Sequence, residues 1–364
     1  MSRSSISNSN SILLSWRGWV AVAVILVGMF HLIPMLWPSL EGFNPSPDYR
    51  LPYSFSDDYW MFRRWSGYAR SNFSILIIGD SVIWGHYVPM DGTLSHFLNE
   101  LTGGETFANL GVDGLHPAAM VGLLKYYGRS IRNSNVILHL NPLWMTSRRH
   151  DLSGEEEFRF NHPRLIPQFI PRIACYRAPI GQRLDAVLER YVPFLTWSRH
   201  LRMVYFENMD IGSWSMQHPY SNPLKAITLK LPAPGENPPS RPAPWFKRGM
   251  RKQDFPWVDV TESFQWRSFL KLIDILKRRG NRVFVLIGPF NPYILTRGSL
   301  RRYDDVKKEM EKQLRKRDMN FLSFSNLPSE YYADASHPLK EGYRQMAEEM
   351  LDTKSFRKWL NDGR

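Results

Sequence analysis

Two short stretches at opposite ends of the chain hold the side chains that a serine nucleophile and its base would need. Gly79-Asp80-Ser81 ends an apolar run, and Asp334-Ala335-Ser336-His337-Pro338 lies near the C-terminus. A hydroxyl is a weak nucleophile until an imidazole takes its proton, and that imidazole works best with a carboxylate on its other nitrogen. Asp334 and His337 stand three positions apart. A turn of that length brings the carboxylate to Nδ1–H, where it orients the ring and stabilises the imidazolium while Nε2 faces Ser81. Ser81, Asp334 and His337 are the candidate catalytic residues. Each motif alone has a simpler explanation: Gly-Asp-Ser also forms strand-to-helix turns in which Asp80 or Ser81 caps the helix, and Asp-x-x-His arises by chance.

Oxyanion donors turn the pair into a site. At the start of a helix, Ser81 would have free backbone N–H groups and the positive end of the dipole beside it. In Asn109-Leu110-Gly111-Val112-Asp113-Gly114, Gly111 can offer its N–H with no side chain in the way, and Asn141 supplies an amide after the next apolar run. Ser81, Gly111 and Asn141 are the oxyanion-hole candidates, since preorganised donors lower the barrier to acyl transfer. His116, His139, Trp84 and Trp144 flank these positions. Hydrogen bonding and packing are their simpler roles; substrate contact and stacking on a sugar face are the functional ones. The chain has no H-E-x-x-H, G-x-x-x-x-G-K-[ST] or G-x-G-x-x-G, and Cys175 is its one cysteine. No thiolate metal cluster or intrachain disulfide is available, and no metal or cofactor is expected.

Positioning these residues requires strands whose carboxyl ends meet. Ser74–Ile78 is a short apolar run ending in Gly79, which suits a strand buried on both faces. Thr106–Leu110 and Val136–Leu140 read as two more, with a helix over Ala118–Ile131 between them. Arg282–Ile287 is the strongest strand of the C-terminal half. Before it runs a helix over Glu262–Lys277, with Phe264, Phe269, Leu272, Ile273 and Leu276 at helical spacing and Gly280 as a stop. A helix over Leu300–Arg317, a weak strand over Asn320–Phe324 and a last helix after Pro338 complete the pattern. The alternation predicts an α/β fold with a mainly parallel sheet in flavodoxin-like order and ligands at the carboxyl ends of its strands. Residues from about 151 to 258 do not fit the alternation. They include a helical pattern over Arg183–Tyr205, while Pro219–Pro256 holds nine prolines and reads as an irregular excursion: a lid, a partner-binding flap or a disordered loop.

With its elements in place, the sequence resembles the SGNH/GDSL hydrolase superfamily. The blocks that carry the resemblance are Gly79-Asp80-Ser81 with Gly85, Asn109-x-Gly111-x-x-Gly114, Asn141, and Asp334-x-x-His337-Pro338. It covers about Ser74 to Leu351, the insertion excepted. It implies a three-layer α/β fold, a covalent acyl-Ser81 intermediate, and Ser81, Gly111 and Asn141 as the oxyanion hole. The third block departs from the family's usual Gly-x-Asn-Asp and reads His139-Leu140-Asn141-Pro142. Asn141-Pro142-Leu143-Trp144 and Pro289-Phe290-Asn291-Pro292-Tyr293, with an N-terminal anchor, look similar to the membrane-anchored branch typified by D-alanyl-lipoteichoic acid transfer proteins. Alginate-type O-acetylation proteins share that plan. The resemblance implies a serine esterase or O-acyltransferase acting on acyl esters of cell-envelope polymers or glycans, with an acylated glycan, wall polymer or lipid as substrate and often a multipass acyltransferase as partner. The competing reading is a catalytically silent envelope scaffold or partner-binding protein on the same fold.

The anchor is residues 18–37, a run that is apolar apart from His31 and has Trp19 and Trp37 near its ends. At about 1.5 Å per residue it spans a hydrocarbon core of about 30 Å. A cleaved signal peptide is the alternative, against which stand the length of the run and the lack of an A-x-A site after it. Arg3 and Arg17 precede the span and no basic residue follows in Pro38–Gly42, which predicts a cytoplasmic tail over 1–17 and a body on the extracytoplasmic side. Residues 38–70 read as a linker and lead-in, Pro-rich over Glu41–Tyr53, and 71–364 as the catalytic domain. A net charge of +13 suits anionic lipid head groups or acidic wall polymers, solvated helix faces being the simpler account. No nucleic-acid-binding motif accompanies the charge.

Overall fold

The computed structural model describes residues 14–232 and 237–362. At its centre lies a five-stranded sheet of β1 (Ile75–Gly79), β2 (Phe107–Gly111), β3 (Asn135–Leu140), β4 (Arg282–Ile287) and β5 (Asn320–Ser323). All pairings are parallel and the order is β2-β1-β3-β4-β5, as right-handed crossovers to either side of β1 produce. β1 and β2 are buried along their whole length, which explains why their sequences are apolar runs without alternation. β5 lies at the edge and is only partly buried, so its sequence signal is weak. Register fixes the site: Gly79 pairs with Gly111 and Leu140 with Ile287. The ends of β1 to β4 therefore lie side by side.

The α-helices are α1 (Trp16–Leu40), α2 (Tyr59–Asn72), α3 (Ser81–Trp84), α4 (Leu94–Thr102), α5 (Pro117–Gly122), α6 (Ile180–Tyr191), α7 (Pro193–Tyr205), α8 (Ile211–Gln217), α9 (Pro223–Ala226), α10 (Phe264–Arg278), α11 (Arg297–Lys316), α12 (Lys340–Asp352) and α13 (Lys354–Asn361). α5 packs on α10 and α4 on α12. Phe269, Leu272, Ile273 and Leu276 form the buried face of α10, the face their spacing predicts. The helix expected over Ala118–Ile131 instead ends at Gly122 and widens into a π-turn over Leu123–Tyr127. Here the insertion crosses it: a Cβ on Gly122 would lie 2.0 Å from the Leu165 carbonyl oxygen, so only glycine admits that approach.

Between β3 and α10 the chain forms α6 to α9, then an irregular stretch with a 3₁₀ turn at Trp245–Arg248. That stretch is fastened to the domain next to the Asp334–His337 turn: Trp245 N–H donates to the Tyr332 carbonyl at 2.9 Å and Arg248 to the Ala333 carbonyl at 3.1 Å. Residues 233–236 of the Pro-rich excursion lie outside the described residues.

α1 is a helix long and apolar enough to cross a membrane, and it extends past the expected end at Trp37 to Leu40. The segment expected as a linker is packed against the domain. Glu41, which follows α1, is buried and accepts from Trp37 Nε1 at 3.1 Å, Tyr205 OH at 2.6 Å and Arg64 at 2.6 Å. His200 sits between Glu41, at 3.0 Å from Nε2, and Asp58, at 2.6 Å from Nδ1. Burial alone would lower the His200 pKa, but the two carboxylates outweigh it and push the imidazole up to about 9. Tyr49, Arg50 and Leu51 are buried as well.

Candidate active site

Ser81 is the first residue of α3, a single turn that closes β1. Asp80 caps it, accepting from Val82 N–H at 3.0 Å. Its other end is held by a cation. Arg50 donates to the carbonyls of Trp84 at 2.7 Å, Gly85 at 2.6 Å and Val88 at 2.9 Å, and its guanidinium lies 3.9 Å from the centre of the Trp84 ring. The Trp84 and Gly85 carbonyls end α3, where the helix dipole favours positive charge. Burial draws the Arg50 pKa down to about 10, which still leaves it charged at neutral pH. Gly85 takes the left-handed conformation, φ 88°, where a Cβ would crowd Arg50, Thr93 and Val88. Trp84 is buried and donates to the Leu51 carbonyl at 2.6 Å, so packing is its role.

His337 Nε2 lies 2.8 Å from Ser81 Oγ, and Nδ1 lies 2.9 Å from both carboxylate oxygens of Asp334. With Nδ1–H directed at the carboxylate, Nε2 is the acceptor for the Ser81 hydroxyl. Asp334 Oδ1 also accepts from the backbone of Ser336 at 2.9 Å and of His337 at 3.0 Å, so the carboxylate organises the turn that carries its partner. Asn291, after β4, braces this turn: its amide donates to the Asp334 carbonyl at 3.0 Å and its N–H to the Ala335 carbonyl at 2.8 Å. Burial would raise the Asp334 pKa, but the facing imidazole and the backbone donors hold it well below the usual carboxylate range. His337 moves the other way. Burial lowers it, and the Asp334 charge more than reverses that, leaving its pKa above the ordinary histidine value.

The oxyanion candidates lie around the same serine in different states. Ser81 N–H has no acceptor among the described residues. Asn141 is buried, and its amide donates to Asp80 Oδ2 at 2.8 Å and to Ser336 Oγ at 3.3 Å. Gly111 N–H donates to Asn109 Oδ1 at 3.0 Å. A Cβ there would lie 2.4 Å from the Trp84 nitrogen, so Gly111 lets β2 lie against the turn bearing Ser81. The residue that sequence reasoning passed over is Gly114. Its φ is 70°, its N–H has no acceptor among the described residues, and a Cβ would fall 2.2 Å from Asn161 Nδ2. The signal was present, since Gly114 is the second glycine of the same block.

Asp80 is the hub beneath Ser81. Besides Val82 and Asn141 it accepts from Trp144 Nε1 at 2.9 Å, and His139 Nδ1 lies 3.3 Å away while His139 Nε2 bonds the Gly288 carbonyl at 2.8 Å. Burial opposes ionisation of Asp80, but His139 and Asn141 prevail and its pKa is lowered. The other flanking histidine, His116, is pushed down to about 3 by burial and stays neutral. It bonds the Asn161 carbonyl and Gln265 at 3.2 Å each. The insertion reaches the rim: Ser240 Oγ is 2.9 Å from His86 Nε2, whose Nδ1 is 2.6 Å from Asp113. Tyr87 lies edge-on to His337 at 5.4 Å with Arg248 over its other side at 4.6 Å. On the opposite flank, Trp144, Phe158, Phe160, Arg149 and His150 line a cavity. Among the described residues no group of three or more His, Cys, Asp and Glu side chains is placed to hold a metal ion. Comparison with known proteins finds no matching family model and no matching curated relative.

Proposed function

We propose that this chain is a membrane-anchored serine ester hydrolase or O-acyltransferase of SGNH type, working through an acyl-Ser81 intermediate. The observation that carries the reading is the unbroken chain from Asp334 through His337 to Ser81 Oγ, with links of 2.9 and 2.8 Å. Ser81 Oγ attacks the ester carbonyl as Nε2 of His337 takes its proton, and Asp334 stabilises the imidazolium. The oxyanion is received by the free N–H of Ser81, with that of Gly114 and the amide of Asn141 as further donors; Asn141 reaches it by releasing the long bond to Ser336. Collapse expels the alcohol, protonated by His337. Water or a polymer hydroxyl then attacks the acyl group by the same path in reverse.

Support for the SGNH assignment is the strand order together with the placement of the first three motif blocks at the ends of β1, β2 and β3. Arg3 and Arg17, which precede the apolar run 18–37, favour an extracytoplasmic domain, where acyl esters of envelope polymers or glycans would be the substrates and a multipass acyltransferase a fitting partner. The test is labelling of the detergent-solubilised chain with a fluorophosphonate probe. One adduct, lost in Ser81→Ala, is expected. A wild-type chain that takes no adduct while folded would turn the assignment toward a scaffold built on this fold.

A further inference from the structure

Helix α6 is inverted for a surface helix. Its charged side chains are tied to the protein: Arg183 donates to the carbonyls of Tyr176 at 2.7 Å and Ala178 at 3.0 Å, and Arg190 to that of Arg164 at 3.2 Å. Asp185 and Glu189 accept from Arg164 at 2.8 and 2.6 Å. Its large apolar side chains point out. Ile180, Leu184, Leu188 and Tyr191, spaced three to four residues apart, are 71%, 48%, 52% and 62% exposed. A contiguous apolar stripe on a helix marks a surface that water does not normally cover.

The next helix shows what covers it. Phe194, in the first turn of α7, meets Phe30 of α1 edge-on with ring centroids 4.4 Å apart, and Trp197 meets Trp37 at 5.2 Å. Phe30 precedes Trp37 by seven residues, about 10 Å of helix. With the apolar run 18–37 filling a hydrocarbon core of about 30 Å, Trp37 marks the boundary and Phe194 lies inside it. The elbow Tyr191-Val192-Pro193 that joins α6 to α7 must enter the leaflet with it. Beside the elbow, His31, Met35, Tyr68, Pro193 and Arg63 line a cavity along α1. Arg64 is held by Glu41, whereas Arg63 has no carboxylate within ion-pair distance among the described residues.

We infer that the α6–α7 elbow is a second membrane contact, a wedge seated in the leaflet beside α1 with the α6 stripe facing lipid. Bilayer is the occupant because the stripe adjoins a residue already at hydrocarbon depth. Interfacial helices of this kind sit roughly 5–10 Å into the head-group and acyl boundary. A single span would let the domain swivel; two contacts set the orientation of the catalytic face toward the membrane.

The inference rests on α1 crossing the bilayer, and the experiment separates the two. The full chain, with buried Cys175 replaced by Ala, is reconstituted in lipid nanodiscs carrying one environment-sensitive label at Leu188→Cys, Leu26→Cys or Lys312→Cys. Quenching by doxyl-labelled lipid is compared with quenching by aqueous iodide. Labels at 188 and 26 should be quenched by lipid and shielded from iodide, and the label at 312, on α11, should behave oppositely. A label at 188 quenched by iodide while 26 is quenched by lipid would overturn the wedge and leave the anchor standing. Protection at 188 from both quenchers would overturn it in favour of a protein partner. Failure at 26 would remove the anchor and the wedge together.

Discussion

Ser81 Oγ and His337 Nε2 lie 2.8 Å apart, so in the proposed reaction the pH dependence belongs to one imidazole. Only neutral His337 can take the serine proton, and the Asp334 charge raises its pKa. Activity should therefore fall with decreasing pH through a midpoint above about 6.5, the ordinary histidine value. A kcat/KM profile on a small acetyl ester reads that limb. Asp334→Asn should move it down and lower kcat by about 10⁴-fold, since the ring loses both its tautomer control and its counter-charge. The two glycines separate cleanly. Gly111→Ala forces a Cβ to 2.4 Å from the Trp84 nitrogen and should reduce the yield of folded chain. Gly114→Ala meets only the Asn161 side chain closely but must hold φ 70°; its expected signature is folded protein with a lowered melting temperature and a reduced kcat per folded molecule. Asn141→Ala removes a donor from Asp80 as well as from the oxyanion, so kcat should drop by about 10²- to 10³-fold with little change in KM. Single-turnover acylation and melting temperature on the same preparation distinguish that from a purely structural role.

At the scale of elements, the catalytic turns are held by residues distant in sequence. Arg50 satisfies the carbonyls of Trp84, Gly85 and Val88. Arg50→Met would leave the Trp84 and Val88 carbonyls without a donor, at roughly 1–3 kcal/mol each, while Gly85 keeps the Val88 N–H at 3.2 Å; the urea midpoint should shift accordingly. Asn291 braces the Asp334 turn from β4. Asn291→Ala should slacken His337 against Ser81 and lower kcat by up to about 10²-fold, as small misplacements of reacting groups do. This division also marks what was legible in the sequence. β1 and β4 are unbroken apolar runs, and Asp334 reaches His337 within one turn, so local pattern sufficed for both. β5 is short and half-exposed and left only a faint trace. Arg50 read as part of a Pro-rich linker because nothing within its neighbourhood in the chain needs a buried cation; the need arises 34 residues on, at Trp84. Asn291-Pro292 stood out as a pattern, yet its work depends on a turn 43 residues away. Gly111 drew attention over Gly114 because the sequence cannot say which N–H a neighbouring asparagine side chain will occupy.

Over the whole molecule, the anchor and the domain are joined by charge buried at Glu41. His200 between Glu41 and Asp58 has its pKa raised to about 9, against about 6.5 in the unfolded chain. A raised pKa stabilises the fold fully below the unfolded value and loses that contribution as pH climbs through the folded one. The melting temperature should thus decline between about pH 6.5 and about pH 9, and His200→Gln should flatten that part of the profile.

In the proposed mechanism Ser81 carries the acyl group. The most direct measurement is mass spectrometry of peptides from the full chain, acid-quenched during turnover of an activated acetyl ester. One acetyl group is expected on the peptide containing Ser81, present in wild type, absent in Ser81→Ala, and discharged when the quench is delayed after the ester is exhausted. Ester turnover with no acyl group on Ser81, or an acyl group that persists in Ser81→Ala, would contradict that mechanism.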